Sequence, residues 1–302
     1  MSKPPKIGLA LGSGGARGWC HIGVLKALDE IGIVPDVIAG TSMGAVVGAA
    51  WAGGKLAELE DWVRALTPGK FVSLMDVNLR SGGLVRAREI ETVLKDIGIA
   101  DRIEDLGCPF TAIATDMATG REIWLDRGPT FKAVRASAGI PGVMSPVRVD
   151  DRWLLDGGLV NPVPVSAARA MGAEVIVAVN PNAKPLGRIW HPPEPVNGNN
   201  WVAKVLPEAL LDTLGIDPEG RAEAATPNYF EVLSAAIDVM TDTIRRARFA
   251  GEPPHVQLNA SLTEVTVLEL YRGAEVIEHG EKMVAAKRDE LREVCFDEQR
   301  AP

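Results

Sequence analysis

The apolar runs of this chain are short, and they alternate with stretches that read as helix. Residues 7–11 (IGLAL) are an apolar run of strand length, followed by a glycine-rich turn and a helix over about 19–31. A second run at 37–40 is apolar and β-branched, and the Ala/Val/Gly series at 45–52 after it predicts a tightly packed helix. Helices are predicted over 56–66 and 86–97, with 67–83 as a loop that carries no chemical signature. Strands over 110–115 and 122–125 flank the turn Met117-Ala118-Thr119-Gly120. A short helix over 131–137, a strand over 153–155, a helix over 164–171 and a strand over 175–180 follow. The chain closes with a long helix over 229–248, a strand over 255–258 and a helix over 270–294 whose alternating charges read as a solvated face. Strands alternating with helices predict a mainly parallel central sheet covered on both faces, a three-layer α/β/α sandwich.

The pattern breaks once. Residues 181–227 hold eight of the 21 prolines together with Asn197-Gly198-Asn199-Asn200, and they read as an insertion outside the sheet core of a single domain spanning 1–302. Inside it Trp201, Val202, Val205, Leu206, Leu210 and Leu214 recur at roughly helical spacing. With Trp190 they make a lid that meets lipid one reading of the insertion, and a packed surface addition the other.

Two turns carry candidate chemistry. After the first strand comes Gly12-Ser13-Gly14-Gly15-Ala16-Arg17-Gly18. A phosphate-binding P-loop would end in Gly-Lys-Ser/Thr, and a dinucleotide fingerprint would place glycine at position 17; neither is met. A tight turn or an oxyanion hole built from freely directed backbone N–H groups remains. After the second strand, Gly40-Thr41-Ser42-Met43-Gly44 is G-x-S-x-G between a strand and a helix, the setting in which a serine stands out on a strained turn. Such a serine needs a base. The four histidines are His21 in the first helix, His191 in the insertion, His279 on the charged last helix and His255 opening a strand, which is the one setting open to a catalytic role. Asp156 is the better candidate, because it ends an apolar strand and is followed by Gly157 and Gly158, which leave its carboxylate uncrowded. Asp36 and Asp116, also near strand ends, are read as structural.

Composition narrows the partners. A net charge of -8 argues against nucleic acid, or an anionic membrane, as an electrostatic partner. Three widely spaced cysteines (Cys20, Cys108, Cys295) make neither a disulfide framework nor a zinc pattern and fit a reducing compartment, hence a cytoplasmic location. The longest apolar run, 43–54, falls short of the ~20 residues of a membrane span, so membrane contact is expected to be peripheral at most. The N-terminal sequence faintly mimics a signal peptide, but cleavage there would remove a strand and the glycine loop, so that reading is rejected. No metal cluster and no cofactor motif is visible, and the oligomeric state is open.

Taken together, Gly12-Ser13-Gly14-Gly15-Ala16-Arg17, Gly40 to Gly44, Ala136-Ser137-Ala138-Gly139-Ile140-Pro141 and Asp156-Gly157-Gly158 resemble, in order, the blocks of the patatin-like phospholipases. The resemblance covers about 6–179, less clearly 229–285, and not 181–227. It implies hydrolysis of acyl esters of lipids through an acyl-enzyme, with Ser42 as nucleophile, Asp156 as base and no histidine. It implies oxyanion donors at the N–H groups of Gly14 and Gly15, with Met43 as a further candidate, within a loop that includes Gly12 and Ser13. Arg17 matches the family's basic position; a side chain packed on the loop is the equal alternative. Ser137 belongs to a structural block, so its replacement by Ala is expected to leave hydrolysis largely intact. An aspartate base needs a sheltered site to gain strength, and Ile140, Val143 and Met144 are candidates to line an apolar acyl pocket beside it. An acyltransferase or thioesterase using the same pair, and a non-catalytic regulatory protein with this fold, are the alternatives.

Overall fold

A computed structural model describes residues 4–73, 83–85, 88–183, 187, 189 and 229–296. The apolar series at 201–214, and with it both readings of the insertion, lies outside the described residues. In chain order, β1 (Ile7–Leu11) leads through a 3-10 turn (Gly15–Trp19) into α1 (Cys20–Glu30), and β2 (Val37–Thr41) leads into α2 (Met43–Ala52). Helices α3 (Leu56–Arg64) and α4 (Pro68–Ser73), strand β3 (Gly83–Val85) and α5 (Arg88–Asp96) follow. Next come β4 (Phe110–Asp116), β5 (Glu122–Leu125), α6 (Thr130–Ser137), β6 (Gly142–Met144), β7 (Val147–Val149), β8 (Arg152–Asp156), α7 (Val165–Ala170) and β9 (Val175–Asn180). The last described elements are α8 (Tyr229–Gly251), β10 (Val256–Asn259), α9 (Gly273–Ala286) and α10 (Arg288–Phe296).

The main sheet is mixed and mostly parallel, in the order β10-β9-β1-β2-β4-β8-β7, with β5 also paired to β4. Strands β10, β9, β1, β2 and β4 run parallel, while β5 and β8 are antiparallel to β4. Every residue of β1, β2, β4 and β9 is buried, which is why these segments read as unbroken apolar runs rather than alternating ones. Alternate side chains still serve different faces. Leu9, Leu11, Ile38, Ala112, Val177 and Val179 belong to the core under α1, α2 and α9, whereas Ala10, Ala39, Ile113, Ile176 and Ala178 meet Val165, Ala167 and Ala168 of α7. Helices thus cover both faces, as the three-layer expectation requires.

Two short elements depart from the sequence reading. The stretch 67–83 contains helix α4 and ends at β3, which pairs in parallel with β6 in a separate two-stranded sheet (Gly83 opposite Gly142, Val85 opposite Met144). Three-residue strands are too short to leave a periodic signal. The helix predicted over 270–294 is two helices parted at Lys287, whose backbone leaves the helical range and lets α10 turn Leu291 and Cys295 into the core. Helix α9 lies very close to α1 because both carry glycine at the crossing. A Cβ on Gly23 would sit 1.9 Å from the Ile277 carbonyl oxygen, and one on Gly280 would sit 2.1 Å from that of Cys20.

The pairing of β4 sets up everything that follows. Ala112 and Ile113 pair with β5 (Leu125 and Trp124) and also with β2 (Gly40 and Thr41). Ala114 and Thr115 pair with β5 (Ile123 and Glu122) and also with β8 (Asp156 and Leu155). A strand has two edges, so β2 and β8 share one edge of β4, end to end. Thr41 and Asp156 therefore stand opposite consecutive residues, and the residue after Thr41 must meet Asp156.

Candidate active site

That residue is Ser42, with φ 56° and ψ −121°, a backbone conformation that side-chain-bearing residues rarely adopt and that costs about 1–3 kcal/mol. Its neighbours must be small for the turn to close. A Cβ on Gly40 would lie 2.4 Å from the Gly44 carbonyl oxygen, and one on Gly44 would lie 2.1 Å from that of Leu11. The G-x-S-x-G spacing is thus a packing requirement of the turn between β2 and α2. Ser42 Oγ donates to Asp156 Oδ2 at 2.6 Å, and both side chains are buried.

Asp156 is held on every side. Its Oδ1 accepts the Gly158 N–H at 2.7 Å, its own N–H donates to the Gly139 carbonyl at 3.0 Å, and its carbonyl accepts the Thr115 hydroxyl at 2.8 Å. Gly157 allows the strand to turn, since a Cβ there would sit 2.2 Å from the Ile113 carbonyl oxygen. Burial pushes the Asp156 carboxyl up to about 6, against the lowering effect of the Ser42 and Gly158 hydrogen bonds.

Hydrogen-bond accounting sorts the glycine loop. Gly12 gives its N–H to Val179 O (2.9 Å), Ser13 to Pro162 O (2.8 Å), Ala16 to Val267 O (2.9 Å) and Arg17 to Gly14 O (3.2 Å). Among the described residues, the N–H groups of Gly14 and Gly15 have no backbone acceptor. Met43 opens α2, where the N–H groups lack intrahelical partners. Gly15 takes φ 54° against the Val267 carbonyl and admits no side chain. The Arg17 guanidinium is buried in a brace: Nε donates to Val265 O at 2.6 Å, and Nη1 lies 3.0 Å from both Asp238 carboxylate oxygens and from Asn182 Oδ1. Of the loop residues singled out in the sequence, Gly12, Ser13 and Arg17 are thus engaged in holding the loop. Gly14, Gly15 and Met43 keep N–H groups to offer.

The remaining candidates fall elsewhere. His21 is buried with Nε2 2.8 Å from Gly12 O, so it braces the loop from behind, and burial lowers its pKa to about 4. His255 accepts the Ile176 N–H with Nδ1 at the β9/β10 edge, and His279 Nε2 accepts the Ser261 N–H; His191 is outside the described residues. Asp36 accepts the Ile7 N–H and Asp116 that of Ala118, both as backbone fasteners. The sequence reading placed Ser137 in a structural block but gave it no link to Ser42. Its Oγ accepts the Ser42 N–H at 2.9 Å, so the structural block to which it belongs reaches the elbow itself. No local pattern distinguishes a serine that accepts from a distant backbone from any other buried serine.

Beside Ser42 and Gly15 opens an apolar cavity of about 110 Å³. It is walled by Val46 of α2, Leu59 and Trp62 of α3, Val93 and Leu94 of α5, and by Ile140, Val143 and Met144. Trp62 and Trp19 meet edge to face at 6.4 Å, and the Trp19 indole N–H is satisfied by Leu270 O, so the Trp19 ring offers no unpaired polar atom to the cavity. Among the described residues no helix is long and apolar enough to cross a membrane, and no group of three or more His, Cys, Asp or Glu is placed to hold a metal ion.

Comparison with known proteins adds relatives. Residues 9–169 match the family model described as patatin-like phospholipase. An uncharacterized NTE family protein of Mycobacterium tuberculosis is 34% identical, over 99% of this chain and 96% of its own length. The neuropathy target esterase sws of Drosophila melanogaster is 34% identical over 58% of this chain, which spans 13% of that protein. Patatin-like phospholipase domain-containing protein 6 of Mus musculus is 35% identical over the same share of this chain and of its own length. Among solved structures, VipD from Legionella pneumophila covers 96% of this chain and 78% of its own, at 13% identity and a TM-score of 0.42.

Proposed function

The chain belongs to the family of patatin-like phospholipases, which are lipid ester hydrolases, and on that premise we propose that Ser42 and Asp156 form its catalytic dyad. The observation that carries the reading is the 2.6 Å hydrogen bond from Ser42 Oγ to Asp156 at a strained turn beside an apolar cavity. Asp156 takes the Ser42 proton as Oγ attacks the ester carbonyl carbon. The negative charge that develops on the carbonyl oxygen is met by the N–H groups of Gly14, Gly15 and Met43 at the start of α2, where the helix dipole adds to them. When the C–O bond breaks, the departing alcohol takes the proton from Asp156 and the acyl group stays on Ser42. A water molecule, deprotonated in turn by Asp156, releases the acid and restores the serine.

The cavity supports one placement of the substrate's parts. With Ser42 as its reactive lining residue and aliphatic or aromatic walls elsewhere, it suits a hydrocarbon acyl chain and leaves a polar leaving group outside. An aspartate is a competent base here because burial keeps its pKa near 6, within reach of neutral pH. The test is a fluorophosphonate probe followed by peptide mass mapping, alongside hydrolysis of acyl esters, lysophospholipids and phospholipids. The adduct is expected on Ser42, and Ser42→Ala is expected to be unlabelled and inactive. An adduct elsewhere, or turnover by Ser42→Ala, would overturn the assignment.

A further inference from the structure

We propose that Ser137 is a positioning residue: by accepting the Ser42 N–H, its hydroxyl oxygen holds the elbow in the conformation that aims Ser42 Oγ at Asp156. The inference rests on the reading of Ser42 as the nucleophile. Ser137 is fully buried at the end of α6, and its Oγ lies 2.9 Å from the Ser42 nitrogen. The N–H of Ser42 has no natural acceptor of its own. Strand β2 ends at Thr41, so the sheet does not continue past it, and α2 begins at Met43, so the helix has not yet started. A buried N–H in that position needs an acceptor from another element, and α6 supplies it. The angle φ of Ser42, which stands at the unfavourable value of 56°, relates that N–H to the substituents on Cα. With α2 holding the residues that follow, anchoring the N–H resists relaxation of the strained torsion and keeps Oγ turned toward Asp156.

The same short segment holds the partner. Two residues beyond Ser137, the Gly139 carbonyl accepts the Asp156 N–H at 3.0 Å. The end of α6 is thus joined to both members of the dyad, through a side chain to one and through the backbone to the other. Between the two contacts, Ala138 faces the acyl cavity, and Ile140, Val143 and Met144 continue its wall. A further consequence concerns the oxyanion. Because the Ser42 N–H is spent on Ser137, it is not available to a developing negative charge, and the donors reduce to Gly14, Gly15 and Met43.

The test compares Ser137→Ala with Ser137→Thr, which keeps a hydroxyl at the same carbon. Without the acceptor the elbow relaxes, and a displacement of ~1 Å in a reacting group costs on the order of 10²-fold. Ser137→Ala is expected to lose about that factor in kcat with KM little changed, since the loss lies in the chemical step and not in acyl binding. Its rate of fluorophosphonate labelling should fall in parallel, and Ser137→Thr should recover most of both. Should Ser137→Ala not fold, Ser137→Cys, close in size and a weak acceptor, takes its place with the same expected loss. Turnover by the Ala variant close to the parent's would overturn the proposal, as would a Thr variant as slow as Ala. Ser42→Ala separates the two readings: if it retains activity the dyad itself is wrong, whereas an inactive Ser42→Ala beside a fully active Ser137→Ala removes only this inference.

Discussion

Replacing Asp156 by Asn should make the protein inactive and more stable at once. The substitution preserves shape and leaves Oδ1 able to accept the Gly158 N–H, but it removes the charge and the proton acceptor. The carboxyl is buried, and its pKa rises from an ordinary 3.8 to about 6. At ~1.4 kcal/mol per pH unit, holding that group ionised in the folded state costs about 3 kcal/mol at neutral pH. The sign follows from the order of the two values. Below about pH 4 the carboxyl is neutral in folded and unfolded chains alike, and it contributes no penalty. Between about 4 and 6 the unfolded chain releases the proton first, so the penalty grows, and above about 6 it is complete. Asn never ionises and escapes it. Denaturant unfolding at pH 7.5 should therefore show Asp156→Asn to be more stable by up to about 3 kcal/mol, less whatever its amide loses in facing the Ser42 hydroxyl. The gap should shrink towards zero as both proteins are taken to pH 4. Ester hydrolysis should fall by about 10²–10⁴-fold, the usual contribution of a general base. In the parent enzyme kcat/KM should decline below a pH near 6, about tenfold per pH unit. An Asn variant that is destabilised by the same amount at both pH values would refute the argument, and so would an acid limb near pH 4, since either result means that the carboxylate is not paying for burial.

Three shorter predictions follow. Ser42→Gly and Ser42→Ala should both be inactive, but Gly should unfold later by about 1 kcal/mol, because it adopts φ 56° without strain and Ala does not; equal stabilities would show that the turn is relaxed in solution. Activity should survive dialysis against EDTA, because the proposed mechanism meets the oxyanion with backbone N–H groups; loss that calcium restores would contradict that chemistry. Met144→Trp, which enlarges a partly exposed wall residue of the acyl cavity, should reduce hydrolysis of long-chain esters by about tenfold or more while sparing short ones, and an equal loss on both would place the acyl chain elsewhere.

The sequence was readable where a constraint is local. An all-buried strand must be apolar along its whole length, so β1, β2, β4 and β9 announced themselves. A strained turn whose flanks touch backbone must have glycine at fixed positions, so Gly40, Ser42 and Gly44 stood out together. It was opaque where the determinant is the pairing of distant segments. Nothing in 110–116 reveals that one edge of β4 is shared by two strands of opposite direction, yet that sharing places Ser42 beside Asp156. The strands over 122–125 and 153–155 were legible, but their antiparallel direction was not; that direction, β7, the small sheet of β3 with β6, and the break at Lys287 escaped for the same reason: short pieces are shaped by their neighbours rather than by their own pattern.

The donors of the glycine loop show a second kind of opacity. By residue type, Gly12, Ser13, Gly14 and Gly15 are equivalent candidates, since each contributes one N–H in a flexible turn. What separates them is where the loop is tied down. Just past β1, Gly12 bonds Val179 O of β9 and Ser13 bonds Pro162 O in the connection before α7, and Ala16 is fastened to Val267 O on the other side. The two positions between those anchors are the ones left with N–H groups to spare, and they are rigid because both ends are fixed. Arg17 belongs to the same construction: its guanidinium ties the loop to Val265 and to Asp238 of α8, so the charge that marks the position in sequence is consumed within the fold. A loop that must hold two N–H groups still for a transient negative charge requires its other polar groups to be bonded elsewhere. The conspicuous residues of the motif therefore act as its anchors, and of the inconspicuous backbone between them Gly15 lines the cavity.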